Sequence, residues 1–333
     1  SVPVWSSNQK VFFEEIDPLP SGVVLDHDGN ITFNYELSPD SSVKAKVVGH
    51  ILLEASEAQL SQDDISTSVA TEGYWEIDGS SEYKRAALFL QNQGVQISSE
   101  RGSYGELNSS QKKEFIRGIY RYVLNRLSSE GLSEESIENP LRAGATLALE
   151  KKTSAVPEDY SDLLIALLRY FGVPSRMVTG YVAEESGFKT SGFFHSWVEY
   201  WDLESAQWVI LDPALDDTNE LDLFAHDFRG RVALLIRSRS SISPKLSYFL
   251  QEEFSLSPSS KAVAPTLDSS AALLAENARV GSKYVNGQIE ITNDGNSPIQ
   301  VDELKLLHGE DEVEFSSIFN YQDQLLIPGM TMS

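Results

Sequence analysis

The stretch from Lys151 to Leu215 constrains the fold more than any other part of the chain. It opens with apolar residues that recur at the 3.6-residue period of an α-helix, namely Leu163, Leu164, Leu167, Leu168 and Phe171. Pro157 suits the first helical turn, because the N–H that proline lacks would have no partner there. Gly172 can take the left-handed conformation that ends a helix, and Pro174 prevents the helix from continuing. The sequence therefore predicts an amphipathic helix with both ends marked.

Three runs typical of β-strands follow this helix. They are rich in Val, Tyr and Trp and are separated by Gly/Ser-containing or acidic breaks, and they span Met177–Ala183, Ser196–Trp201 and Trp208–Leu211. Helices followed by antiparallel strands indicate an α+β domain.

The order of the motifs in this stretch resembles the transglutaminase-like superfamily. The motifs are DYSDLLIALLRYFGVPSR, VTGYV, HSWVEYW and QWVILDP. The family pattern is a Cys that opens a helix, an Arg-x-x-Gly-Ile-Pro-x-Arg turn, a Gly-Tyr strand, a His-x-Trp-x-Glu strand and a strand ending in Asp-Pro. The resemblance implies a papain-like, thiol-enzyme fold, with the helix packed on an antiparallel sheet that carries His195 and Asp212.

The sequence lacks the cysteine nucleophile of the family. Family members place a thiolate at a helix N-terminus, where the dipole lowers its pKa, beside a histidine base that a carboxylate orients. Carried over motif by motif, the histidine is His195, the carboxylate is Asp212, and the cysteine position is Pro157. The chain contains no cysteine, so no other alignment supplies one. The resemblance therefore implies a relic dyad that persists as a structural hydrogen bond.

Proline at the nucleophile position removes both the thiol and a backbone N–H that donates to the oxyanion in such enzymes. The loss of one oxyanion donor alone costs about a hundredfold or more in rate. Ser154 is the alternative nucleophile, but it precedes the helix and is typical of a capping or turn residue. A substitution introduced at Pro157 is another explanation, although Ala or Ser is the usual replacement for cysteine. The sequence favours a pseudoenzyme, and the alternative is a hydrolase or acyltransferase that uses a non-Cys nucleophile with His195 and Asp212.

Four side chains near these positions are candidates for lining a former substrate cleft, namely Ser154, Tyr160, Tyr181 and Trp197. Trp197 and Trp201 share one face of a strand, so at least one of them is expected in the core. A cleft without turnover would bind a protein, a peptide or a glycan of the cell surface. No ligand spacing supports a metal site built from His195, Asp212 and His226, and no cofactor is expected.

The charge and composition of the chain exclude several functions. A net charge of −24 and a pI near 4.5 argue against binding nucleic acid, whose phosphates would repel the chain, and against a basic patch for anionic lipids. The absence of cysteine excludes disulfides and thiolate metal sites. No run approaches the ~20 apolar residues of a membrane helix, so any membrane anchor is expected outside this segment. This acidic, serine-rich composition favours an extracytoplasmic piece of a prokaryotic cell-envelope protein, either secreted or anchored.

The sequence pattern divides the chain into four predicted segments. Residues 1–72 are predicted to be an N-terminal β region, with apolar residues alternating from Ile31 to Leu37, and residues 73–245 the transglutaminase-like core. Residues 246–278 are Ser/Pro-rich and predict a linker, with a short helix at Ala271–Ala278. Residues 279–333 resemble an immunoglobulin-like β-sandwich module, which is short of the ~100 residues that a full sandwich uses and is therefore expected to be minimal or truncated.

Within the core segment, three further helices are predicted, at Ser81–Gln93, from Ser109, and near Glu134–Lys152. The third of these helices would place four residues in the core, namely Leu141, Ala145, Leu147 and Leu149. The second would leave three arginines in solvent, namely Arg117, Arg121 and Arg126.

Overall fold

The computed structural model describes most of the chain, in residues 3–4, 6, 9–53, 68–130, 141–186, 189–219, 224, 230–244, 255–257, 263–276, 286–301, 304–308, 311–313 and 325–332. The residues form two compact units. The larger unit is Ala55–Ser257, and the smaller unit combines Ser1–Glu54 with Pro258–Ser333.

Helices and strands alternate in blocks along the chain. The helices are α1 Ser81–Asn92, α2 Ser109–Arg126, α3 Ala145–Lys151, α4 Pro157–Phe171 and α5 Pro213–Asn219. The strands are β1 Gln9–Asp17, β2 Gly22–Leu25, β3 Ile31–Asn34, β4 Lys46–Leu53, β5 Ser175–Ser186, β6 Lys189–Asp202, β7 Gln207–Leu211, β8 Arg231–Arg237, β9 Ser269–Glu276, β10 Asn286–Asn293, β11 Ile299–Gln300, β12 Leu306–His308, β13 Asp311–Val313, β14 Leu325–Leu326 and β15 Thr331–Met332. Within the described residues, no helix combines the length and the apolar character that crossing a bilayer requires.

Helix α4 is the centre of the larger unit. Its five periodic apolar residues are completely buried, and they lie in one hydrophobic core with residues of α1, α2 and the sheet. Gly172 ends the helix with a φ of 96°, the left-handed conformation that glycine adopts without strain. The prediction of this helix from its period and its end signals is confirmed.

An antiparallel sheet in the order β7-β6-β5-β8 packs against α4. Strands β5 and β6 pair along their whole length, with Gly180 opposite His195. All seven residues of β8 are buried. Residues directly opposite each other point to the same face of a sheet, so the pairing register decides which side chains can meet. The mixed α+β core that the sequence predicts is therefore present.

Two predictions within the larger unit need correction. In the helix predicted near Glu134–Lys152, residues 141–144 are not helical and α3 spans Ala145–Lys151, while residues 131–140 lie outside the described part of the chain. Leu141 and Leu147 are 80% and 51% exposed, because Ala145 and Ala148, three residues apart, form the buried face of this short helix. Arg126 is not simply solvated: its Nε donates to the buried Glu82 carboxylate at 2.7 Å.

The smaller unit contains only β-strands among its described elements. β1 pairs with β4, β2 with β3, and β9 with β10, which also pairs with β15. At the turn between β2 and β3, Asp26 Oδ1 accepts hydrogen bonds from the backbone N–H groups of Asp28 and Asn30, as in an ordinary turn. The resemblance of residues 279–333 to an immunoglobulin-like module stays a prediction.

Strand β9 corrects the helix predicted at Ala271–Ala278. The segment Ala271–Ala278 was predicted as a helix within a linker, yet residues 269–276 pair in register with β10. Alanine and leucine favour helices in isolation, but pairing with a neighbouring strand overrides that preference. The smaller unit combines residues from both ends of the chain, Ser1–Glu54 and Pro258–Ser333, whereas the four predicted segments are each continuous in sequence.

A buried carboxylate fastens the preceding chain onto α4. Asp162 accepts from Arg142 Nε at 2.8 Å and from Trp75 Nε1 at 3.1 Å. Arg169 stacks over the Trp75 ring at 4.1 Å and donates to the Ser175 carbonyl. Burial raises the pKa of Asp162 to about 7, and the hydrogen bonds from Arg142 offset only part of that effect.

The pKa of Asp162 makes the stability of the larger unit depend on pH. Because this carboxyl holds its proton more tightly in the folded protein than in the unfolded chain, where the pKa is ~3.9, its contribution is lost as pH rises from about 4 to about 7. We expect the free energy of unfolding of the wild type to fall over this range relative to that of Asp162→Asn. Urea unfolding at several pH values measures this difference, with exposed Asp78→Asn as the control. Parallel curves for the wild type and Asp162→Asn would contradict the prediction.

Candidate functional site

The first turn of α4 forms one side of the candidate site. Pro157 is the first helical residue, where its missing N–H leaves no helical hydrogen bond unmade. The carboxylate of Asp159 accepts from the backbone N–H groups of Ala143 at 2.7 Å and Val156 at 3.3 Å. The helix start is thus fixed by a buried side chain of its own first turn.

The start of α4 contacts strand β6 at Ser196. Ser196 Oγ donates to Glu158 Oε1 at 3.2 Å, and Ser161 Oγ donates weakly to the Ser196 carbonyl at 3.5 Å. Pro157 lies four residues before Ser161 and so shares its face of the helix. The described contacts therefore join the first turns of α4 to Ser196 of β6, and the position of Pro157 relative to the His195 side chain stays a prediction.

His195 and Asp212 form a buried pair. Nε2 of His195 lies 2.9 Å from each carboxylate oxygen of Asp212, and the two side chains are 5% and 0% exposed. An ionised carboxylate only accepts hydrogen bonds, so Nε2 carries the proton that is donated. Within the described residues, Nδ1 of His195 has no hydrogen-bond partner.

Arg231 at the start of β8 is the third member of this cluster, and the sequence analysis did not assign it to the site. Its Nη2 lies 2.6 Å from Asp212 Oδ2, and the backbone N–H of Leu215 donates to Oδ1 at 3.0 Å. Burial opposes ionisation of Asp212, but His195, Arg231 and this N–H together hold the pKa of the carboxyl below its ordinary value. Nothing local in the sequence marks Arg231, because β8 joins the site by pairing with β5.

Trp197 lies beside Arg231. The Arg231 guanidinium carbon is 5.1 Å from the centre of the Trp197 ring, within cation–π range. Gly180 makes room for this ring: a Cβ there would lie 2.7 Å from Trp197 Cη2 and 2.0 Å from the Val232 carbonyl oxygen. The glycine of the Gly-Tyr strand is therefore required by close packing.

The predicted cleft residues are mostly interior. Tyr160 and Trp197 are each 1% exposed and Tyr181 is 8% exposed, whereas Ser154 is only partly buried. Tyr160 donates to Asp217 Oδ2 at 2.7 Å. These contacts give the aromatic residues packing roles, and their part in binding a ligand stays a prediction.

Two tyrosines hold the segment that carries Asp212. The hydroxyl of Tyr120 lies 3.1 Å from the Asp212 carbonyl oxygen and 2.8 Å from Asp216 Oδ2, while Tyr160 holds Asp217. Burial, together with the hydrogen bond to Asp217, raises the pKa of Tyr160 far above its ordinary value, so this phenol stays a donor. Helix α5 is therefore tied to α2 and α4 directly after the carboxylate.

The described part of the chain offers no metal centre. No group of three or more His, Asp or Glu side chains there is arranged to hold an ion. His226 lies outside the described residues.

A protein-family model matches the part of the chain that contains His195 and Asp212. Residues 104–213 match the family described as the transglutaminase-like superfamily, a range that includes α2, α4, His195 and Asp212. The larger unit of the chain therefore contains a transglutaminase-like domain. No curated protein matches the chain.

Several solved structures resemble the chain at low identity. A candidate cysteine protease from Cytophaga hutchinsonii is 14% identical, with a TM-score of 0.44 over 73% of this chain and 76% of that protein. The periplasmic domain of TgpA from Pseudomonas aeruginosa is 17% identical, with a TM-score of 0.35 over 66% of this chain and 69% of that one. Red sea bream transglutaminase is 16% identical, with a TM-score of 0.27 over 53% of this chain and 36% of that enzyme.

A cysteine at position 157 tests the placement of this residue. A thiol at a helix N-terminus has a pKa below the ordinary ~8.5, so we expect Pro157→Cys to titrate below about 7.5. The chain has no other cysteine, so the absorbance of the thiolate reports this group alone. Leu147→Cys, at an exposed position, provides the control with an ordinary pKa. A value for Cys at 157 equal to that of the control would contradict the placement.

Proposed function

We propose that this chain is a non-catalytic member of the transglutaminase-like superfamily that acts as an extracytoplasmic binding module. Its ligand would be a protein, a peptide or a glycan of the cell surface. The β-strands of the smaller unit would serve as a spacer, and any membrane anchor would lie outside this segment.

The observation that carries the proposal is the residue that begins α4. In a thiol enzyme of this fold, the first helical turn supplies the nucleophile and a backbone N–H to the oxyanion. Pro157 supplies neither, and the chain has no cysteine to take its place. The histidine and the carboxylate remain, without the group on which they would act.

The contacts of Asp212 support a structural role for the retained pair. Both carboxylate oxygens are occupied, by His195, by Arg231 and by the Leu215 N–H. A buried carboxylate with these partners joins β6, β7 and β8, and loss of one partner would leave a buried charge uncompensated. A cluster that stabilises the fold in this way would be retained without catalysis.

The composition supports the proposed location and partner. A cysteine-free chain of net charge −24 suits solubility and neutral or basic partners, and it disfavours nucleic acid and anionic lipid surfaces. The location is proposed from this composition and from the β-rich smaller unit.

An activity assay tests the absence of catalysis. We expect neither hydrolysis of amide substrates nor incorporation of an amine into glutamine peptides above the buffer rate, for the wild type and for His195→Ala alike. An active transglutaminase serves as the positive control for the assay. Turnover by the wild type that His195→Ala abolishes would overturn the proposal in favour of an enzyme with a non-Cys nucleophile.

Ligand binding is tested separately by thermal shift with panels of cell-surface peptides and glycans. We expect at least one class to raise the melting temperature of the wild type. Ser154→Trp, which adds bulk at the partly buried position before α4, should lose that response while keeping its own melting temperature. No response to either panel would contradict the binding role.

A further inference from the structure

Asp162 in the second turn of α4 holds distant parts of the chain together. Its side chain is completely buried, and its oxygens accept hydrogen bonds from Trp75 Nε1 and from Nε and Nη2 of Arg142. Nη1 of Arg142 donates to the Ser241 carbonyl at 2.6 Å, and its guanidinium lies 4.4 Å from the centre of the Tyr74 ring. Ser241 Oγ in turn accepts from the backbone N–H of Tyr74 at 3.1 Å. Arg142 therefore joins the chain before α1 and the chain after β8 to α4.

The segment that carries Arg142 is also bound to the first turn of α4. The backbone N–H of Ala143 donates to Asp159 Oδ1 at 2.7 Å. Gly144 follows with a φ of 82°, and a Cβ there would lie 2.6 Å from Tyr74 Cδ1. This segment therefore packs closely on the start of α4 and on the tyrosine ring.

The hydrogen bonds of Asp162 suit the ionised form of this carboxyl group. Its described partners, Trp75 and Arg142, only donate to it. A protonated carboxyl has an O–H that needs an acceptor of its own, and the described contacts of Asp162 provide none. Arginine keeps its charge throughout the range in which proteins fold, so proton binding also leaves the Arg142 guanidinium against an uncharged group. A proton on Asp162 therefore weakens its contact with Arg142.

Of the two donors, Arg142 is the one that can leave. Trp75 is completely buried, and the Arg169 guanidinium stacks on its ring at 4.1 Å. The Arg142 side chain is 15% exposed, so its guanidinium can reach water when the long side chain turns outward. Proton uptake by Asp162 therefore frees Arg142 and leaves Trp75 in place.

The charged groups around Asp162 set the pH at which this carboxyl changes its charge. Burial raises the pKa of Asp162, the Arg142 guanidinium opposes the rise, and the negative charges of Asp159 and Glu158 on the same helix add to it. Arg237 on β8 also interacts electrostatically with Asp162, and burial together with the charge of Arg142 lowers the pKa of that guanidinium. The balance places the pKa of Asp162 at about 7, so the carboxyl titrates near neutral pH.

We propose that Arg142 and Asp162 form a proton-controlled latch that holds residues 141–144 on the start of α4 and releases them when Asp162 binds a proton. Above neutral pH the latch is closed, and in mildly acidic solution it is open. Opening exposes the Asp159 and Asp162 side chains, which are both fully buried in the closed form. The latch acts in the folded protein, so it is distinct from the pH dependence of the free energy of unfolding, and it does not depend on the proposed binding role.

A spin label next to Arg142 measures the state of the latch. The chain has no cysteine, so Leu141→Cys, at a side chain that is 80% exposed, provides a single labelling site. We expect the mobile fraction in the electron paramagnetic resonance spectrum to rise as the pH is lowered through neutrality, with a midpoint at about 7. A label on Leu88→Cys, which is 57% exposed on α1, is the control and should show no such transition. A label at position 141 with the same mobility at every pH would overturn the inference.

Two variants of the labelled protein assign the transition to this pair. Arg142→Gln removes the charge that holds the segment, and Asp162→Asn is uncharged at every pH, so in both the label at position 141 should be mobile throughout and the midpoint should disappear. Asp78→Asn, at an exposed carboxylate, should keep the midpoint of the parent protein. If Asp162→Asn does not fold, Arg142→Gln at its partly exposed position decides the assignment. A folded Arg142→Gln or Asp162→Asn variant that keeps the midpoint would overturn the inference, because the transition would belong to another group.

Discussion

The carboxylate of Asp212 is the point on which the candidate site depends. It lies directly after β7, receives hydrogen bonds from β6 and from the first turn of α5, and pairs with an arginine of β8. Transferring a charge into the interior costs several kcal/mol unless partners compensate it. The three elements must therefore meet in one arrangement around Asp212 for the fold to tolerate this group.

Arginines stacked on tryptophans recur through the larger unit. Arg231 lies over Trp197, Arg176 over Trp208, and Arg169 over Trp75. The guanidinium group is planar and weakly hydrated, so it can cover an aromatic face while it bonds to a carboxylate or to carbonyl groups. In a chain without disulfides, these contacts link strands and loops that lie far apart in sequence. The Asp212 cluster contains one of these arginine–tryptophan contacts, which supports a structural role for the cluster.

Local signals in the sequence were sufficient for some elements and not for others. Helix α4 could be predicted because its period, its proline and its terminal glycine agree within one short segment. Strand β9 could not, since Ala and Leu favour a helix until β10 pairs with them. The core positions of Leu141 and Leu147 were wrongly predicted, because Ala145 and Ala148 form the buried face of α3. Arg231 enters the cluster through strand pairing, which no local pattern encodes, whereas the pairing of His195 with Asp212 could be predicted because several motifs occur in family order.

The central claim is that the Asp212 cluster now serves the fold, and the free energy of unfolding of Asp212→Asn tests it most directly. Asparagine keeps the shape of the side chain but removes the buried negative charge that contacts His195 and Arg231, so the account predicts a loss of about 3–5 kcal/mol in urea unfolding at pH 7. A variant as stable as the wild type would contradict the account, because it would show that this buried carboxylate is kept for something other than the structure.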